Sequence, residues 1–233
     1  MKMPLSSRTV TQVRADITSF DARYKRDWKA WMAVYDTVPL SAPETAAACR
    51  SVLSKWQAVR SKTKGRTIRL LRSGAPQGAR CFDDLLAEAV IPVQQLGGTT
   101  IREVRTLGEG GRQSLTRLWD LFQDLPTLGR ANAVGITKAV KLVAGGRIGP
   151  ALDSEVRKHL GIREPGPVTA TEWIKVLQSV SEDIHTFELA NRCHLEDLVE
   201  AEWQPVAVGR AYDMVFGPKS KAGDAALVRS LEL

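Results

Sequence analysis

The chain has 233 residues, enough for one large domain or two small ones, and its 43% hydrophobic content suffices for a packed core, which excludes a disordered chain. Lys and Arg outnumber Asp and Glu by 33 to 26, a net charge of +7 that favours a polyanionic partner, because each cation on a phosphate releases condensed counterions. The three scattered cysteines, Cys49, Cys81 and Cys193, exclude a disulfide framework and a four-thiolate iron–sulfur cluster, and they fit a reducing cytoplasm.

The N-terminal stretch MKMPLSSRTV lacks an apolar run of signal-peptide length, and no segment approaches the ~18 consecutive apolar residues of a membrane span. The expectation is therefore a cytoplasmic protein without a membrane partner. In chain order, residues 8–36 keep a helical apolar spacing through Val13, Ile17, Phe20, Tyr24, Trp28, Trp31 and Met32. Pro43 sits where a helix can begin, and 43–60 carries Val52, Leu53, Trp56 and Val59 on one side. Residues 61–76 are basic and Gly-marked (Lys62, Lys64, Arg66, Arg69, Arg72), read either as an exposed loop with a short strand or helix, or as a phosphate-facing arm.

Two short helices are predicted at 81–92 and 99–107, separated by Gly97-Gly98 and ended by Gly108, Gly110 and Gly111. Another spans 112–123 with Leu115, Leu118, Trp119 and Phe122. A helix follows at 153–161, ended by Pro165 and Pro167. Thr169-x-x-Glu172 is a capping-box signature for a long helix over 170–191. Shorter pieces are predicted at 194–203 and 206–216, then a tail helix. No alternating run of strand length stands out, so the fold class is all-α. The chain is read as one helical domain over 1–233, or as two lobes (about 1–107 and 108–233) with a cleft between them.

The most informative stretch is 124–161. Leu125-Pro126-Thr127-Leu128-Gly129-Arg130-Ala131-Asn132-Ala133 is a tight-turn-then-helix pattern, in which glycine lets backbone N–H groups approach a phosphate and the helix N-terminus adds its positive end. Downstream, Gly145-Gly146-Arg147-Ile148-Gly149-Pro150-Ala151-Leu152-Asp153 leads into SEVRKHLG, with Val156, Arg157 and Leu160. In this order the stretch resembles the helix-hairpin-helix DNA glycosylases: a Leu-Pro-Gly-(Val/Ile)-Gly hairpin, then a Pro-x-x-Asp-like run whose aspartate opens the next helix. Thr127 departs from the family's glycine. A second register, Val134-Gly135-Ile136-Thr137-Lys138-Ala139, lies closer to the family's spacing to Asp153 but lacks Leu-Pro.

The resemblance implies a helix-hairpin-helix glycosylase-like helical bundle, monomeric, bound to double-stranded DNA, and without cofactor or metal. It implies that Asp153 stabilises the cationic transition state of N-glycosidic bond hydrolysis after the base is flipped out. Gly129, Arg130, Gly135, Arg147 and Arg157 would then bind the DNA backbone. The lysine nucleophile of the family's bifunctional enzymes would fall at Ala131, or at Thr137 with Lys138 one step away. That departure implies a monofunctional enzyme that leaves an abasic site, with Lys138 as the candidate amine if a lyase step exists. The divergent surroundings would suit a damaged or bulky modified base, as in foreign or phage DNA. The rival reading is a non-catalytic helix-hairpin-helix DNA clamp.

Asp153 is also an ordinary N-cap, worth about 1 kcal/mol. Trp28, Trp31, Trp56, Trp119 and Trp173 sit at apolar helical positions and are core candidates; Trp56 with Arg60, beside the basic arm, is the candidate base pocket. His159, His185 and His194 show no metal spacing. Arg210-x-x-Asp213 is read as a structural pair on a late helix.

Overall fold

A computed structural model describes residues 4–58, 69–70, 80–123, 125, 132–163 and 166–220, and these are mostly helical. Nine α-helices occur among them: α1 (Val10–Thr18), α2 (Ala22–Tyr35), α3 (Pro43–Lys55), α4 (Phe82–Leu96), α5 (Glu109–Phe122), α6 (Asn132–Val143), α7 (Ser154–Leu160), α8 (Ala170–Asn191) and α9 (Val208–Phe216). Short 3-10 turns stand at Leu5–Ser7, Ile101–Thr106, Glu196–Leu198 and Ala201–Trp203. Among the described residues, extended pairing is limited to Arg69–Leu70 against Arg80–Cys81 and a bridge between Phe20 and Lys219. No helix among the described residues is long and apolar enough to cross a membrane.

Most helix ends follow from local chemistry. Thr169 and Glu172 form the reciprocal capping box read from the sequence, and α8 runs over Ala170–Asn191 as expected. Pro43 occupies the first turn of α3, where its missing N–H has no helical partner to lose. The stretch 8–36, in contrast, is two helices. The chain bends at Ser19–Asp21 because Phe20 pairs with Lys219 and the Asp21 N–H donates to Pro218 O at 3.0 Å. Asp21 then caps α2 through the Arg23 N–H. That break is dictated by a segment about 200 residues away in sequence, so periodicity alone misses it.

Other boundaries differ for smaller reasons. α4 continues through Pro92 to Leu96, because Pro92 and Val93 are buried against the core and packing outweighs one lost helical bond. The segment predicted helical at 99–107 is a 3-10 turn capped by Thr100 and Glu103. Residues 194–203 form two 3-10 turns rather than one helix. α3 ends at Lys55, ahead of the predicted residue 60. The tail helix lies outside the described residues.

One buried apolar cluster runs from Leu5 on the first turn to Phe216 at the end of α9. Trp28, Trp31, Trp56, Trp119 and Trp173 all belong to it, as their helical spacing predicts. Helix α6 packs against α3, α4 and α5, and its residues from Ile136 to Val143 are all buried. A helix buried on every side is usually apolar throughout. α6 is not: Thr137, Lys138 and Lys141 are buried with the rest.

Candidate active site around Asp153

The path to Asp153 begins at the end of α6. Gly145 and Gly146 take positive φ values of 57° and 74°, and their N–H groups donate to Leu142 O (2.9 Å) and Lys141 O (2.8 Å). This is the glycine-ended stop that satisfies the last helical carbonyls. The chain then passes directly against the start of α9. A Cβ on Gly209 would lie 2.6 Å from Gly146 O and 2.9 Å from Gly149 N, so the crossing depends on glycine there.

Two consecutive backbone amides are held next. Ala151 N–H donates to Asp213 Oδ1 at 2.9 Å, and Leu152 N–H donates to Thr137 Oγ1 at 2.9 Å. The hydroxyl in turn donates a hydrogen bond to Ala133 O at 2.7 Å. Residues 151–152 are thereby tied to α9 on one side and α6 on the other. Asp153 follows as the N-cap of α7, its Oδ1 accepting from Glu155 N (3.1 Å) and Val156 N (3.0 Å). Its Oδ2 makes no hydrogen bond among the described residues.

Three buried cations and a second carboxylate, from distant parts of the chain, interact electrostatically with that carboxylate. Lys138 is 6% exposed, and its Nζ donates to Trp56 O at 2.8 Å. Lys141 is 2% exposed, forms an ion pair with Asp213 Oδ2, and lies 4.7 Å from the Trp56 ring centroid. Arg210 sits 3.6 Å from Asp213 Oδ2, donates to Tyr24 O at 2.9 Å, and reaches the rings of Phe20, Trp28 and Trp56.

The electrostatics follow from burial. Burial pushes the Asp153 carboxyl above its ordinary range and Asp213 adds to the rise, while the Val156 N–H, Lys138 and Lys141 oppose it. Burial pushes the Lys138 ammonium down, against the pull of Asp153 and Asp213. Lys141 is pushed down to about 8, again chiefly by burial. The Tyr24 hydroxyl is raised by burial first and by the charge of Asp153 second.

Trp56 and Tyr24 also form one wall of a cleft of about 420 Å³ between α2 and the end of α3. Trp56 is 2% exposed, and its Nε1 donates to Asp27 Oδ2 at 3.2 Å. The indole is therefore packed between Tyr24 and Lys141 rather than open on both faces.

The other residues singled out in the sequence are spread around this centre. Gly129, Arg130 and Arg60, with Pro126–Leu128 and most of the basic arm, lie outside the described residues. Gly135 is inside α6, which starts at Asn132, so it is a helical rather than a turn glycine. The Arg147 guanidinium donates to the carbonyls of Ala144 and Gly97, pinning the segment after α6. Arg157 is buried, with its Cδ beside Gly166.

The sequence alone assigns no functional role to Lys141 or Tyr24, and it presents Arg210 with Asp213 only as a local pair. A signal existed for three of the four. Lys138 and Lys141 are the only charges in an apolar helix, and Arg210 and Asp213 interrupt an otherwise apolar run. Among the described residues, no group of three or more His, Cys, Asp or Glu side chains is arranged to hold a metal ion. Compared with family models, with curated proteins and with solved structures, the chain matches none.

Proposed function

We propose that the chain is a monofunctional DNA glycosylase that hydrolyses the N-glycosidic bond of a damaged or modified base and leaves an abasic site. One observation carries the reading. Asp153 spends one oxygen on its helix cap and keeps the other without a hydrogen bond among the described residues, within electrostatic reach of buried Lys138 and Lys141. Bond breaking develops positive charge on the sugar, and a fixed carboxylate stabilises that charge and orients an attacking water. The two anchored amides at Ala151 and Leu152 hold the carboxylate in place before the substrate arrives. The net charge of +7 supports a DNA substrate.

The test is a panel of DNA duplexes carrying normal, damaged and phage-type modified bases, treated with the protein and then with alkali. Strand breaks at one base class are expected, and they disappear in Asp153→Asn while DNA binding persists. Binding without breaks on any duplex would favour the non-catalytic DNA clamp instead.

A second reading draws on Lys138. A buried amine with its proton affinity lowered by burial is a feature of Schiff-base nucleophiles. Its Nζ already donates to Trp56 O, so attack would require that bond to break. Borohydride added during turnover separates the two: a covalent protein–DNA adduct lost in Lys138→Met identifies the lyase.

A further inference from the structure

We propose that the cleft between α2 and the end of α3 is a nucleotide subsite for the DNA strand, with Arg26 and Lys55 on a phosphate and the Gln57 amide on a base edge. This rests on the DNA reading above and extends it to residues outside the hairpin and the Asp153 centre.

The backbone at Gln57 is the first reason. Helix α3 ends with Ala58 N–H donating to Leu53 O (2.8 Å) and Gln57 N–H to Ser54 O (3.0 Å), the motif whose next-to-last residue adopts the left-handed conformation. Gln57 has φ 53°. Glycine adopts that conformation without penalty, and a glutamine does not. The side chain that is retained there is exposed, lines the cleft and makes no hydrogen bond among the described residues. Strain held at a residue whose side chain returns nothing to the fold points to work on a ligand. A primary amide both donates and accepts, which suits the edge of a base.

Charge is the second reason. Arg23, Arg26 and Lys55 line the cleft against one carboxylate, Asp27. Asp27 is already occupied by Trp56 Nε1 and by Lys55 Nζ at 3.3 Å, and Arg23 is paired with Asp21. Arg26 is exposed and makes no hydrogen bond or ion pair among the described residues. Tyr24 lines the same wall, half-buried, with its ring held against Phe20 and Trp56.

The experiment measures fluorescence anisotropy of a labelled duplex over a salt series, together with thermal melts, for Gln57→Gly, Arg26→Ala and the wild type. Gln57→Gly is expected to melt at a higher temperature, yet to bind about three- to tenfold more weakly. Arg26→Ala is expected to reduce the slope of log K against log salt by about 0.9, the loss of one phosphate contact. A purely structural Gln57 would give the higher melting temperature with unchanged binding, and that result overturns the proposal. So does an Arg26→Ala slope equal to that of the wild type. The readout needs no base release. Weakened binding without glycosylase activity upholds the subsite and sinks the enzyme reading, whereas base release with unaltered variants does the reverse.

Discussion

At the scale of single residues, Asp153 carries two roles that substitution can separate. Asn ranks with Asp as an N-cap, so Asp153→Asn keeps α7 and removes only a charge that burial makes costly. It is expected to be at least as stable as the wild type at neutral pH and inactive in base release. Asp153→Ala loses the cap as well, and urea denaturation should show a loss of about 1 kcal/mol. Acid titration adds a check. The folded-state pKa of Asp153 is raised, so its ionised form is lost as pH falls through a value above the ordinary carboxylate range. The acid limb of the rate profile should therefore lie above that range. The cap at Asp153 was legible from Asp-Ser-Glu-Val alone, because capping is a contact between neighbours in sequence. Its electrostatic surroundings were not, because Lys138, Tyr24 and Asp213 arrive from three other elements.

At the scale of elements, the junction between the segment after α6 and the first turn of α9 decides where the aspartate stands. Gly146 O accepts from Arg210 N at 3.1 Å, and Gly209 has no room for a Cβ against Gly146 O. Gly209→Ala is expected to push these backbones apart and to cost about 1–3 kcal/mol in urea denaturation. Residues 145–146 announced a break after α6 in the sequence, since paired glycines end helices. Gly209 announced nothing, because its partner lies some 60 residues earlier and only their contact makes glycine necessary there. The same limit explains the split of 8–36 at Phe20, which a strand-like contact with Lys219 imposes.

At the scale of the whole molecule, the interior holds Lys138, Lys141 and Arg210 against Asp153 and Asp213, an excess of cations that folding must tolerate. Lys141 shows the consequence. Its folded-state pKa is lowered to about 8 from an ordinary 10.5, so between these values the unfolded chain binds the proton that the native state has released. Stability contributed by this group therefore rises as pH increases through that window. Below about pH 8 both states carry the charge, and the burial cost is present in full. Lys141→Met should flatten the rise in urea midpoint between about pH 8 and 10, relative to the wild type.

The all-α class, the long helix α8 with its capping box, the buried tryptophans and the cap at Asp153 were determined by the sequence itself. Each depends on periodicity or on contacts a few residues apart, which the chain encodes locally. The tertiary structure alone decided that Lys141 and Arg210 meet at Asp213, that Trp56 is packed against them and accepts from Lys138, and that Gln57 faces a basic cleft. Those relations join residues tens to almost two hundred positions apart. They exist because close packing of an apolar core leaves these few buried charges only one another, nearby carbonyls and aromatic rings as partners.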